Sequence, residues 1–200
     1  MAWIEQDNWN SHALVRKYSP DQVAWATEKM GYEPAGHRLS LLFRDPEDGV
    51  TEEPGNLMVT VGLNLLTSLL EGGAGTPFAH ADAIVGVGAG TTAAATSDTA
   101  LTDDNSSNAY YQQADSSYPT QSNGVITCQC TFASGNANFA WQEWCLATGS
   151  GGITAGDHLS AVATGVVMLN HKVSSLGTKS SGASWVFVAQ ITESLCRSRA

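Results

Sequence analysis

Between Arg44 and Lys172 the chain contains no lysine and no arginine. The same stretch carries thirteen carboxylates, from Asp45 to Asp157, and all nine basic residues lie outside it toward the two ends. Such a middle region repels phosphate, which excludes a nucleic-acid-gripping face there. Charge of either sign is scarce, at 14% of residues against a usual share of roughly a quarter. The surface must therefore be solvated largely by Ser, Thr, Asn and Gln. A formal net charge of -10 opposes approach to DNA or an anionic membrane and favours a basic partner. No nucleic acid and no membrane are expected as direct partners.

Long apolar runs are missing as well. The longest apolar-leaning stretch, 57–70, is broken by Thr60, Gly62, Asn64, Thr67 and Ser68, too short and too polar for a bilayer. Met1-Ala2-Trp3-Ile4-Glu5 lacks the basic region and apolar core of a signal peptide. Without secretion, the four cysteines, Cys128, Cys130, Cys145 and Cys196, are not expected to form a disulfide framework. Cys128 and Cys130 share one face of a strand and read as small buried apolar residues. A zinc half-site there needs two further ligands that the spacing does not supply. There is no Gly-Lys-Ser/Thr of a phosphate loop, and Gly86-x-Gly88-x-Gly90 reads as a turn after a core strand. Asn105-Ser106-Ser107 matches a glycosylation triplet, which without a signal peptide carries no weight.

What is present reads as a β-rich domain with an appendage. Residues 1–50 hold Trp3, Trp9 and Trp25 and five of the nine bases. Ser19-Pro20-Asp21-Gln22 is a helix start with a capping box, and Lys29 and Gly31 close that helix near Met30. Leu39–Phe43 suggests a short strand or buried turn. We expect 1–50 to be an arm or appendage and 51–200 a β-rich structural domain. Within the latter, Asn56 caps a helix whose Met58, Val61, Leu65, Leu66, Leu69 and Leu70 recur at helical spacing. Strands are expected at 83–88, 125–132, 138–146, 161–169 and 185–191. Residues 90–97 look like a flexible loop, and 102–124 is polar, with Tyr110 and Tyr111 as anchors. Short strands split by Gly-rich turns fit an antiparallel β-sandwich or barrel with one packed amphipathic helix and a helical N-terminal arm.

Chemistry-bearing residues are few. Asp157-His158-Leu159-Ser160 contains the residue types of a hydrolase triad, but neighbouring side chains do not form one without a sharp backbone bend, and no nucleophile elbow is present. A capped turn is the expectation. His12, His37, His80 and His171 show no ligand spacing. Glu143, between Trp141 and Trp144, is the best candidate for a perturbed carboxylate, with burial raising its pKa. Its expected role is structural, paired with Lys172 or Lys179, the first bases after the gap. On a regular strand Trp141 and Glu143 share a face, and Phe139, Trp141 and Trp144 offer a sugar-stacking alternative to core packing. No catalytic, cofactor or metal-binding residue is assigned.

Five segments follow one another in an informative order: Gly55-Asn56-Leu57 with the Leu-rich helix; Ile84-Val85-Gly86-Val87-Gly88 followed by Ser97-Asp98-Thr99-Ala100-Leu101; Asn138-Phe139-Ala140-Trp141-Gln142-Glu143-Trp144; Leu169-Asn170-His171; and Leu176-Gly177-Thr178-Lys179 with the strand from Trp185. Together, over roughly 54–194, they resemble structural proteins of tailed bacteriophages, especially of actinobacterial hosts, of the head decoration and minor tail group. Such proteins often carry an arginine where His171 stands. The resemblance implies a non-enzymatic virion component, first a capsid decoration or stabilising subunit. A minor tail or baseplate subunit is the second reading, and a carbohydrate-binding module of a tail fibre the third. It implies the major capsid protein or tail proteins as partners, a homo-oligomer with a trimer as first reading, and assembly in the host cytoplasm. Trp3, Trp9, Arg16, Lys17 and Trp25 are the candidate docking residues, being aromatic anchors and bases.

Overall fold

The computed structural model describes residues 8–194. In chain order the elements are β1 (Asn8–Tyr18), α1 (Pro20–Met30), α2 (Gly36–Leu42), β2 (Val50–Pro54), β3 (Leu57–Met58), α3 (Thr60–Leu70), β4 (Ala83–Gly88), β5 (Ala109–Gln113), β6 (Thr120–Ser122), β7 (Val125–Phe132), β8 (Ala140–Ser150), α4 (Leu159–Val162), β9 (Thr164–Thr178) and β10 (Ser184–Ser194). The strands form two five-stranded sheets, β2-β1-β10-β7-β6 and β3-β9-β8-β4-β5. Every strand pairing within them is antiparallel.

One core draws on both sheets. The first contributes Ala13, Val15, Cys128, Cys130, Phe132 and Phe187, and the second Val85, Val87, Trp144, Leu146 and Leu176. Its centre is a chain of edge-on aromatic contacts. Phe132 meets Trp141 and Trp141 meets Trp185, each at 4.8 Å between ring centroids, and Trp144 meets Phe187 at 5.1 Å. These contacts cross from sheet to sheet, and tilted or edge-on geometry is the arrangement aromatic quadrupoles favour. Two smaller clusters cover the other faces. Tyr18, Val23, Ala26, Leu39 and Val186 hold α1 and α2 on the first sheet. Ile84, Tyr111, Cys145, Met168, Leu159 and Val162 hold α4 and nearby loops on the second.

Local signals explain part of this layout. α1 begins with the expected capping box, in which Gln22 N–H donates to Ser19 Oγ and Ser19 N–H donates to Gln22 Oε1, both at 3.2 Å. It ends at Gly31 in the left-handed conformation. Other segments depart from their expected form. Over its described residues, the stretch read as an arm supplies β1, which lies between β2 and β10 and places Ala13 and Val15 in the core. Leu39–Phe43, expected as a strand or buried turn, instead lies largely within α2, with only Leu39 buried and Leu41 pointing to solvent. The helix expected from Asn56 starts at Thr60 because Leu57 and Met58 first pair with His171 and Asn170 as β3. Residues 161–169 divide between α4 and the start of β9.

Candidate functional site: two imidazole clips on an acidic loop

The chain from Ala89 to Asn108 carries no helix or strand, and it crosses the face of the second sheet that bears Cys145 and Tyr111. Its attachment begins with a bulge in β8. The pairing of β8 with β9 shifts register between Trp141 and Glu143, so Trp141, Trp144 and Leu146 all face the shared core. Glu143 falls on the other side, where strand alternation aligns it with Cys145 and Ala147. The expectation that Trp141 and Glu143 share a face fails because of this extra residue.

Glu143 is wholly buried and accepts four hydrogen bonds. Oε1 takes the N–H of Gly90 at 3.2 Å and of Asp103 at 3.1 Å. Oε2 takes the N–H of Thr102 at 2.9 Å and lies 2.9 Å from His171 Nε2. Two glycines make room for it. A Cβ at Gly88 or at Gly90 would come within 2.4 Å of Glu143 Oε1. The glycine run thus admits a carboxylate rather than a phosphate.

His171, on β9, completes the group. Its Nδ1 lies 2.7 Å from Asp98 Oδ2, and that oxygen also accepts the Ala95 N–H at 2.8 Å. Both ring nitrogens face carboxylate oxygens, so both carry hydrogens, which only the imidazolium form has. Burial pulls the His171 pKa down, but its bonds to Glu143 and Asp98 outweigh this and raise it. Burial pushes Glu143 up, yet His171 and the N–H groups of Thr102 and Asp103 hold it below its ordinary value. Asp98 is lowered against its own desolvation by the Ala95 N–H and by His171. The rise expected for Glu143 from burial alone is reversed by hydrogen bonds to the charged form. Its expected lysine partner is also corrected. Lys172 Nζ donates to Pro54 O at 3.2 Å, and the buried Lys179 Nζ donates to Ala133 O at 2.9 Å and Asn138 Oδ1 at 2.7 Å. Burial pushes the Lys179 ammonium down to about 8, opposed by Glu33.

A second clip holds the end of the same loop. His158 Nδ1 bonds Asp104 Oδ2, Asp104 Oδ1 accepts the Leu159 N–H at 2.8 Å, and His158 Nε2 lies 2.9 Å from Ser160 Oγ. This is the hydroxyl–imidazole–carboxylate order of acyl-transfer sites. The acid is Asp104, 54 positions away, and not the adjacent Asp157, whose backbone carbonyl instead accepts the Asn105 N–H at 2.8 Å. No local sequence signal identifies that partner. A fourth carboxylate, Asp115, accepts from Gln129 Nε2 at 2.9 Å, Thr131 N at 3.0 Å and Thr131 Oγ1 at 2.8 Å. In the base-free region these carboxylates are therefore answered by imidazoles, backbone N–H groups and neutral side chains.

The remaining sequence candidates are dispersed. Trp3 and Cys196 lie outside the described residues, and Trp9 sits on β1 opposite Glu193. Arg16 is half-buried on the same strand. Lys17 donates to Thr51 Oγ1 at 2.7 Å and lies 4.6 Å from the centre of the Trp185 ring. Trp25 is 46% exposed and meets Phe43 edge-on at 5.6 Å. Trp141 and Trp144 are wholly buried, so the sugar-stacking face read from them is not on the surface. Among the described residues, no group of three or more His, Cys, Asp or Glu side chains has the geometry to hold a metal ion. Compared with family models, curated proteins and solved structures, the chain has no match.

Proposed function

We propose that this chain is a non-enzymatic structural subunit of a tailed-bacteriophage virion. The capsid surface is the first location, with the major capsid protein as partner and a homo-oligomer, first a trimer, as the assembled form. A minor tail or baseplate position is the second reading. The family expectation comes from the ordered segments that resemble phage structural proteins. The two sheets and their shared core support its β-rich form, and we infer a sandwich in preference to a closed barrel.

The observation that carries a docking role is the helical layer on the first sheet. Its two helices and the link between them expose Trp25, Tyr32, Leu41 and Leu42, with Leu41 78% exposed. Lys29, Arg38 and Arg44 lie in the same stretch. Large apolar side chains beside bases are the residue types that concentrate binding energy at interfaces. Removing the first 50 residues would strip β1 from the core, so point changes are the sound test. Particles lacking the protein should take up the wild-type chain fully and take up Trp25→Ala/Leu41→Asp at about a tenth of the occupancy or less, a loss ordinary for two anchor residues. Full occupancy by the double variant would remove the docking role. The Asp104–His158–Ser160 order favours one competing reading, acyl transfer at Ser160. Ester hydrolysis that disappears in Ser160→Ala would reverse the non-enzymatic conclusion.

A further inference from the structure

A cavity of about 40 Å³ lies where β1, β7 and β10 of the first sheet approach β3, β9 and α3. Its walls are mostly aliphatic, with Met58, Leu66, Ile126 and Leu169 among them, and Phe78 adds one aromatic ring. Three polar side chains, Ser11, Asn56 and Asn170, interrupt this lining, and Ser11 and Asn170 are the buried ones. Ser11 is 8% exposed and Asn170 is 2% exposed. Ser11 Oγ and Asn170 Nδ2 have no hydrogen-bond partner among the described residues.

The orientation of Asn170 is fixed. Its Oδ1 accepts the Leu146 N–H at 2.9 Å, where β8 and β9 slip in register after Leu146. That bond commits the oxygen to the strand and leaves both hydrogens of Nδ2 free. Native interiors rarely leave such donors unmet, because each unpaired buried group is destabilising. Neither Ser11 nor Asn170 takes part in the imidazole clips or in the helical docking layer. Among the described residues, no charged side chain lines the cavity, so an ionised ligand would enter without a counter-charge.

We propose that this cavity binds a small neutral molecule with an aliphatic body and one hydrogen-bond-accepting oxygen, the class of short alcohols and ketones. The oxygen accepts from Asn170 Nδ2 and exchanges a hydrogen bond with Ser11 Oγ, while the aliphatic part lies against Met58, Ile126 and Leu169. The size limit follows from the volume. A single water requires roughly 10–15 Å³ on this scale, so the site takes a group of only a few heavy atoms.

The test uses the full chain, labelled with nitrogen-15, and four probes of similar length: butan-1-ol, butan-2-one, butyrate and butylammonium. The neutral pair should shift the Asn170 side-chain amide and the Ser11 backbone amide with saturation, and the charged pair should not. Ser11→Val removes the hydroxyl and narrows the cavity with a residue suited to a strand. It should weaken binding about tenfold or more and raise Tm. Leu66→Phe fills the site from α3 and should abolish saturation, with dispersed amide signals showing that the fold is kept. Shifts that rise without saturating would mean that solvent alone occupies the cavity, which overturns the proposal. So would saturation that is unchanged in both variants, or equal binding of the charged probes.

Discussion

His171 and His158 fasten the same acidic loop with the same kind of bond, yet their surroundings differ sharply. His171 has a side chain 1% exposed and lies between Asp98 and Glu143. His158 has a side chain 39% exposed and lies between Asp104 and a surface serine. Water screens the second arrangement and can replace either partner. It cannot do so at the first, where removing one member leaves an uncompensated buried charge. Two clips of similar design should therefore differ several-fold in what they contribute. The buried one ties the loop to the sheet, and the outer one places α4 against the loop.

The largest effect should come from Glu143→Gln. The amide keeps one acceptor oxygen but turns N–H donors toward a site already filled with the donors of Gly90, Thr102 and Asp103. It also strips His171 of one counter-charge. The expected loss is about 3–5 kcal/mol, the range for breaking a buried ion pair by removing one partner. Urea unfolding measures it, and a loss below about 1 kcal/mol, the scale of a surface pair, would erase the distinction between the clips.

A smaller, graded effect should appear with pH. The His171 pKa is raised in the fold, so its contribution is complete below the ordinary 6.5 and is lost as pH climbs through the raised value. Glu143 and Asp98 are lowered, so theirs is complete above the ordinary 4.5 and 3.8 and is lost as pH falls through the lowered values. The clip therefore contributes most between about 4.5 and 6.5. In His171→Asn the alkaline decline assigned to the imidazole should flatten. A wild-type Tm profile that keeps its alkaline slope in this variant would assign the slope to other groups.

The two regions were also unequally legible in the sequence. α1 was readable because Ser19, Pro20, Gln22 and Gly31 act on their own helix ends, within a turn. β7 was readable because Ile126, Cys128, Cys130 and Phe132 alternate. β1 was not, since its inward positions are the small Ser11, Ala13 and Val15, and its partner β10 lies at the other end of the chain. Glu143 stands out by its place between tryptophans, but residue types alone point to lysines as its counter-charge. The actual partners are a histidine 28 positions away and backbone N–H groups 40, 41 and 53 positions away, and backbone donors leave no mark in residue types. His158 stands beside Asp157 in the sequence, yet its acid, Asp104, comes from across the loop. The long gap in Lys and Arg is plain in the sequence. Its structural meaning lies in the imidazoles and backbone N–H groups that take the place of those bases.

The smallest expected effect separates the outer clip from the inner one. His158→Ala removes the imidazole but leaves Asp104 Oδ1 on the Leu159 N–H. It also leaves the Asn105 N–H on the Asp157 carbonyl. The loop end thus retains two of its attachments, and the exposed partners regain water. The loss should be at most about 1 kcal/mol, as for surface pairs. Hydrogen exchange gives the finer reading. Leu159 and Asn105 should exchange moderately faster in His158→Ala, while Gly90 and Thr102, held by Glu143, should keep their protection. Loss of protection at all four amides would show that the two clips act as a single cooperative unit, whose inner half depends on the outer one despite its burial.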